Sequence, residues 1–405
     1  DLNNHIKPQG RVTSPDVNGS IQTSEKDPEF NSDRSYWLNR TTTKVIDAWN
    51  YSVGFNVNIA ILDDGFIDSY PDFRDDLTGT SRIISTQFLK VYNGSRLYED
   101  QALANITSTD GSRRLANPSF SSEYHGLFVA QIIAANIDDQ RGIAGIAPRA
   151  RILPMATGET MVGVNVQIKN AVEEKRKFKA GQGGIDIDVI NISQGKPFDH
   201  YDAFLKNKDS ILEQQNLDLM SFTIQKAYQE NIAVVAAAGN EGTDKDLNSF
   251  PANYSTAINV GAYQLDEAIK RRAIFDLTKG FHSSNYAPAT DFWAPGKRIP
   301  VFGYEPIVGN FTQGQIFYKT GTSYAAPIVT AMIALIKSWN KNISFEDLYR
   351  VLVESSTPLA DSSFVSTQPA LTHEGRIPPR EINALAAVTH PLINAQKAIS
   401  MNGKL

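Results

Sequence analysis

The chain has 405 residues, of which 41% are hydrophobic and 20% charged, enough apolar side chain for a sizeable core, so global disorder is excluded. Lys and Arg number 39 against 44 Asp and Glu, a formal charge of −5; so even a balance argues against a general nucleic-acid binder or a membrane-surface protein. There is no cysteine, which removes a disulfide scaffold, a thiol nucleophile and cysteine-ligated zinc.

Residues 1–40 are rich in Asn, Asp, Ser and Pro without an apolar period and read as a polar extension, with the folded domain at 41–405. The start, Asp1-Leu2-Asn3-Asn4-His5, has neither the basic nor the apolar segment of a signal peptide and no initiator Met, so the chain reads as processed. No apolar run reaches the length of a membrane span. Val57 to Leu62 reads as a buried strand from its β-branched content. Residues 76–124 hold Ser- and Asn-rich stretches and read as an inserted loop. Residues 125–135 read as a helix with Val129, Ile132 and Ile133 on one face. Residues 173–179 form the densest charge run, expected to be a solvated helix end. Ile185 to Ile192 reads as a strand, 221–230 as a helix, Ile232 to Ala237 and Ile258 to Ala262 as strands. Residues 323–338 read as a long apolar helix burying Ala325, Ala326, Val329, Ile333 and Ile336, with Pro327 tolerated in its first turn. Strands alternating with helices predict an α/β fold with a mostly parallel sheet covered on both faces. Sequons occur at Asn39, Asn50 and Asn105, but one at Asn191 falls in a predicted buried strand, which shows how little the triplet means alone.

Ligands of open α/β sheets bind at the carboxyl ends of the strands. Three polar signals fall at element ends: Asp63 after the first strand, His125 at the start of a helix, and Ser323 in a Gly-led turn entering another. Singly, each has a plain reading as turn, core or cap residue. Together they supply an acid, a base and a hydroxyl, the set a serine nucleophile needs.

Ile61-Leu62-Asp63-Asp64-Gly65, His125-Gly126-Leu127-Phe128-Val129-Ala130 and Gly321-Thr322-Ser323-Tyr324-Ala325-Ala326-Pro327 resemble, in this order, the Asp, His and Ser signatures of the subtilisin-like serine proteases, the subtilases. Gly142 to Pro148, Asp188 to Gly195, Ala236 to Gly242, Asp291 to Gly296 and Leu392 to Ala395 extend the resemblance over about residues 43–398. It implies a three-layer subtilisin-like fold and a serine endopeptidase acting through an acyl-enzyme. Asp63, His125 and Ser323 would form the triad, with Asn240 and the Ser323 backbone N–H binding the oxyanion. Ser193, Gln194 and Gly195 would pair with an extended protein or peptide substrate, and Ala238, Gly239 and Glu241 would line the pocket for the residue before the scissile bond. Glu241 reads equally as a surface charge. A catalytically idle binding relative and a transpeptidase on the same fold are the rival readings. The resemblance also implies an extracytoplasmic location and an inhibitory propeptide removed upstream, since residues 1–40 are short and polar for a packed propeptide domain.

The departures are Asp64, where most members have Ser or Thr and the kexin/furin branch has Asp, and Leu127, Gln131 and Gln194. Asp64 reads either as a receptor for a basic side chain at the substrate's P2 position or as a turn-stabilising residue before Gly65. Tyr70-Pro71-Asp72-Phe73 resembles a segment whose Asp binds calcium in many members. That implies a structural calcium ion held by Asp72 and Asp139 with the carbonyls of Ile137, Arg141 and Ile143; the plain reading of the loop is a solvated acidic turn.

Overall fold

The computed structural model describes residues 37–38, 43–66, 70–75, 78–85, 87–88, 91–93, 96–98, 124–137, 142–158, 160–195, 209–242, 250–265, 272–274, 284–285, 290–304, 314–358 and 380–393. In chain order the helices are α1 (Val45–Ala48), α2 (His125–Ala134), α3 (Met161–Lys179), α4 (Asp209–Gln229), α5 (Thr322–Lys337), α6 (Phe345–Ser355) and α7 (Ala384–Val388). The strands are β1 (Asn58–Leu62), β2 (Val91–Asn93), β3 (Arg96–Tyr98), β4 (Arg151–Met155), β5 (Val189–Ile192), β6 (Ala233–Ala237), β7 (Ala257–Leu265), β8 (Arg272–Ile274), β9 (Phe292–Pro295), β10 (Ile299–Tyr304), β11 (Gly314–Lys319), β12 (Thr357–Pro358) and β13 (Arg380–Glu381).

Among the described residues the main sheet has nine strands in the order β12-β13-β9-β7-β6-β5-β1-β4, with β8 paired to β7. From β13 to β4 every pairing is parallel. The sequence shows why both faces are covered. Ile59, Ile61, Val189, Val235 and Ile258 pack into one core with α2, α5 and α6. Their neighbours Ala60, Leu62, Ile190, Ile192, Val234 and Ala236 pack into a second with α3 and α4. The period-two alternation thus feeds two cores at once, giving near-continuous apolar strands and the predicted three layers.

The strand order changes direction at β1, which has β4 on one side and β5 on the other. The carboxyl ends of β1, β5 and β6 therefore stand side by side at a topological switch point, where open α/β sheets take their ligands.

Several expectations need correction. The strand expected over 185–192 begins at Val189; Asp188, just before it, is buried and spends its Oδ2 on the Asn58 N–H at 2.9 Å. The helix expected at 221–230 starts twelve residues earlier, at Asp209. α2 and α5 are buried nearly all round rather than on one face, because each lies between the sheet and other elements. Charged residues 173–179 do end a helix, α3, but Glu174 and Lys175 are buried. Trp37 and Leu38, inside the stretch read as a polar extension, belong to the core. Within 76–124, the Ile83 segment is not a free loop: it bridges to Ile152 of β4, and Arg82 is buried. Residues 99–123 lie outside the described set.

Candidate active site

The segment leaving β1 caps α2. The first helical N–H groups, which lack partners within a helix, are taken by carbonyls of that segment: Gly126 donates to Asp64 at 2.7 Å and Leu127 to Gly65 at 3.1 Å. Glycine is required at 126, because a Cβ there would come within 2.8 Å of the Asp64 carbonyl and 2.7 Å of the Phe66 ring. This close docking brings the His125 Nδ1 to 2.9 Å from both carboxylate oxygens of Asp63. Asp63 is buried, and its Oδ1 also accepts the Asp64 N–H at 2.8 Å. An Nδ1 between two carboxylate oxygens carries the hydrogen, which leaves Nε2 as the lone-pair nitrogen. Burial pulls the imidazole pKa down, but charge and hydrogen bonding from Asp63 outweigh it, with a further push from Asp64 against a pull from Lys319. The result lies above the ordinary 6.5. The Tyr324 ring covers the His125 ring at 5.4 Å, and burial raises its phenol far above the usual value, so it stays neutral.

Ser323 is the second residue of α5, where its own N–H has no partner within the helix. Pro327 lies in the second turn, not the first as expected, and it has no N–H to give the carbonyl four residues back. That carbonyl belongs to Ser323, and it accepts the Ser193 hydroxyl at 2.8 Å instead. The missing helical bond thus becomes the link between α5 and the end of β5. Asn191 reinforces it from the buried side: it accepts from Thr330 of α5 at 2.8 Å and donates to Ser193 at 2.9 Å. Its complete burial rules out glycosylation of its sequon in the folded chain.

Asn240 follows β6. Its Oδ1 accepts from the Thr322 N–H at 2.8 Å and the Thr322 hydroxyl at 3.0 Å. These bonds occupy the oxygen and orient the amide so that Nδ2 is the donor left for a ligand. Asn285 holds the neighbouring segment. Its Nδ2 donates to the Ala238 carbonyl at 2.9 Å and to the Glu241 carboxylate at 2.6 Å, and its Oδ1 accepts the Glu241 N–H at 3.1 Å. Ala238 is buried, Gly239 half-buried and Glu241 exposed. At the end of β5, Ser193 is buried, Gln194 half-buried and Gly195 exposed.

The departures from the family pattern have structural accounts. Leu127 is a core residue. Gln131 is buried and ties α2 to β10 by donating to the Phe302 carbonyl at 2.7 Å and accepting its N–H at 2.8 Å. Asp64 accepts three hydrogen bonds from Thr157 and Gly158.

Thr157, Asn285 and Thr322 escaped the sequence reading. Thr322 had a signal, its place beside Ser323 in the Gly-led turn. The other two sit in stretches without pattern and meet the site only through folding.

Asp72 is buried and its Oδ1 accepts the Asn136 N–H at 2.9 Å. Gly142 faces its other oxygen: with φ +48° and no Cβ, it leaves open a space in which a Cβ would come within 2.8 Å of Asp72 Oδ2. Asp139 and Arg141 lie outside the described residues, and among those described no group of three or more acidic or histidine side chains gathers. Arg82 reaches the same turn, donating to the Asp72 carbonyl and the Asn136 side chain.

The chain resembles the major intracellular serine protease of Bacillus subtilis, with 28% identity over 327 residues, 78% of this chain and 81% of that protein. It is likewise 28% identical to subtilisin DY of Bacillus licheniformis over 314 residues, 77% of this chain and 87% of that one. Among solved structures, a protease from Pseudoalteromonas arctica aligns at a TM-score of 0.55 and 20% identity, covering 92% of this chain and 99% of its own, which speaks for the fold alone. No helix among the described residues is long and apolar enough to cross a membrane. The Subtilase family profile matches residues 54–370, well over half the sequence; the chain belongs to the subtilase family and is a serine endopeptidase.

Proposed function

We propose that Ser323 is the nucleophile, His125 its general base and then the acid for the leaving amine, and Asp63 the carboxylate that fixes the imidazole tautomer and stabilises the imidazolium. The observation that carries this reading is the 2.9 Å pairing of His125 Nδ1 with buried Asp63, at a site the Asn240–Thr322 bond ties to the Ser323 turn. Asn240 Nδ2 and the Ser323 N–H would take up the oxyanion, whose charge grows only as the tetrahedral intermediate forms. Ser193, Gln194 and Gly195 would pair with the substrate as an added strand, and Ala238 and Gly239 would border the pocket beside it. The bond from Asn285 to Glu241 supports Glu241 as part of that wall. The three hydrogen bonds on Asp64 support the turn-anchoring reading over a receptor for a basic P2 side chain. The test is labelling by a fluorophosphonate probe: wild-type protein should label and Ser323→Ala should not. A folded wild type that stays unlabelled would favour the idle relative.

A structural calcium ion belongs to the same proposal. Asp72 would hold it with Asp139 and the carbonyls of Ile137, Arg141 and Ile143. The buried carboxylate with one oxygen toward Gly142 suits it, while the nearby Arg82 guanidinium opposes it. Its contribution would be to tie the Pro71–Phe73 turn to the loop after α2, with no part in the bond-breaking steps. Action outside the cytoplasm and removal of a propeptide rest on the family resemblance alone; the relatives named above include one titled intracellular.

A further inference from the structure

We propose that Thr157 is a positioning residue, whose hydroxyl locks the substrate-pairing segment Ser193–Gly195 to the segment carrying the catalytic Asp63. The proposal rests on the reading of 193–195 as the strand that receives substrate. Thr157 lies just past β4 and is fully buried. Its N–H and hydroxyl both bind the Asp64 carboxylate, at 3.1 and 2.6 Å, and the Gly158 N–H adds a third bond at 3.0 Å. Gln194, just past β5, places its Nε2 at 2.5 Å from the same hydroxyl oxygen.

The direction of this chain follows from the groups involved. A carboxylate with three donors on it is acceptor-only, so the single hydroxyl proton of Thr157 goes to Asp64. The hydroxyl oxygen must then accept, and Gln194 must donate. The chain ends on a charge, which strengthens each bond in it. It also fixes which way the Gln194 amide faces.

Geometry shows what the device spans. β4 and β5 flank β1, so their ends are two strand spacings apart, about 10 Å. Gln194 reaches over the tip of β1 to close that distance; the apolar residue usual at this position has no group that could bond there. Ser193 is fixed on its other side to the Ser323 carbonyl. The segment is thereby held at two points, one on the nucleophile's helix and one on the catalytic acid's loop. Two departures from the family pattern, Asp64 and Gln194, become parts of one device joined by a residue that has no sequence signature.

Held this way, the segment presents preset backbone groups to an extended substrate, and loosening it should weaken extended substrates selectively. The experiment compares wild type, Thr157→Val, Thr157→Ser, Gln194→Leu and the double variant Thr157→Val/Gln194→Leu. Two substrates are used: a tetrapeptide anilide, which needs strand pairing, and an ester of a single acylated amino acid, which does not. Thr157→Val should raise KM for the anilide about tenfold, the scale of one lost charge-assisted hydrogen bond partly compensated. It should leave kcat/KM for the ester within about twofold. Thr157→Ser, which keeps the hydroxyl, should restore the anilide KM. Gln194→Leu should show the same anilide defect, and the double variant should be no worse than either single one. Equal losses on both substrates, no loss on either, or multiplying losses in the double variant would each overturn the proposal. If Thr157→Val does not fold, Gln194→Leu carries the anilide comparison. Fluorophosphonate labelling of each variant keeps the question separate from the triad: an unlabelled wild type condemns the triad assignment, whereas labelled variants with the wrong substrate pattern condemn only this one.

Discussion

His125 sits between a burial that disfavours its charge and a carboxylate that favours it. The net rise above 6.5 has a direct kinetic meaning. The base must be neutral to accept the Ser323 proton, so kcat/KM should climb with pH through an apparent pKa above 6.5 and fall away as His125 protonates on the acid side. A profile flat from about pH 5 to 8 would be incompatible with His125 as base. At Asn240 the oxygen is already spent on Thr322, so its nitrogen has one evident use. Asn240→Ala should lower kcat by about 10²–10³ with little change in KM, because the lost bond forms chiefly in the transition state. A variant within about threefold of wild type would remove Asn240 from the mechanism.

The elements succeed where one feature of sequence serves two purposes. The segment after β1 delivers Asp63 and, through its carbonyls, caps the helix that delivers His125. Pro327 denies α5 a bond and so frees the Ser323 carbonyl for Ser193. The turn at Pro71–Phe73 carries buried Asp72, whose Oδ2 faces Gly142 and whose carbonyl accepts from Arg82. A calcium ion bound only by the folded state should stabilise it by RT ln(1 + [L]/Kd), about 2.7 kcal/mol at a hundredfold excess over Kd. Thermal unfolding of the Ser323→Ala protein, which cannot digest itself, should therefore shift upward with calcium and downward with EGTA, and Asp72→Ala should abolish the difference. An unmoved midpoint would assign the carboxylate to Asn136 and its neighbours alone.

At the end of the sheet opposite the proposed catalytic groups the molecule carries a largely buried cluster of charge. Lys175 and Lys341 pair with Asp186 and Asp188, while Lys337, nearly inaccessible, donates among the described residues only to the Asn231 carbonyl at 3.2 Å. Burial lowers its pKa to about 8, against partial relief from Asp188. Three cations face two carboxylates, so removing Lys337 leaves the cluster balanced. Below pH 8 the lysine is charged in both folded and unfolded chains, and folding bears the full cost. Between 8 and the unfolded value of 10.5 the folded chain releases its proton first, so wild-type stability rises with pH. Lys337→Met, in the Ser323→Ala background, should therefore be more stable at pH 7, by at most about 3 kcal/mol. The advantage should shrink as pH approaches 10.5. An advantage unchanged by pH would mean that packing, not charge, is responsible.

The triad candidates were legible because each stands at the end of a strand or the start of a helix, and those ends are marked by local chemistry: β-branched runs, a glycine-led turn, a His-Gly pair. The alternating fold followed from the same apolar periodicity. Strand limits were less legible. Asp188 and the residues around it look strand-like, but a buried charge at the amino end of a central strand was invisible until Lys175 and Lys341 came near. Asp64, Gln194 and Gln131 read only as departures, because a polar side chain's partner is chosen across space and not by adjacent sequence: Thr157, which joins the first two, lies 93 residues from Asp64 and 37 from Gln194. The sequence by itself determined the three layers, the order of the proposed catalytic groups and the chemistry those residue types can perform. The tertiary structure alone decided the imidazole's net rise in pKa, the orientation of Asn240 and the joining of Asp64 to Gln194 through Thr157, since each depends on burial and hydrogen-bond partners that exist only once distant strands lie side by side.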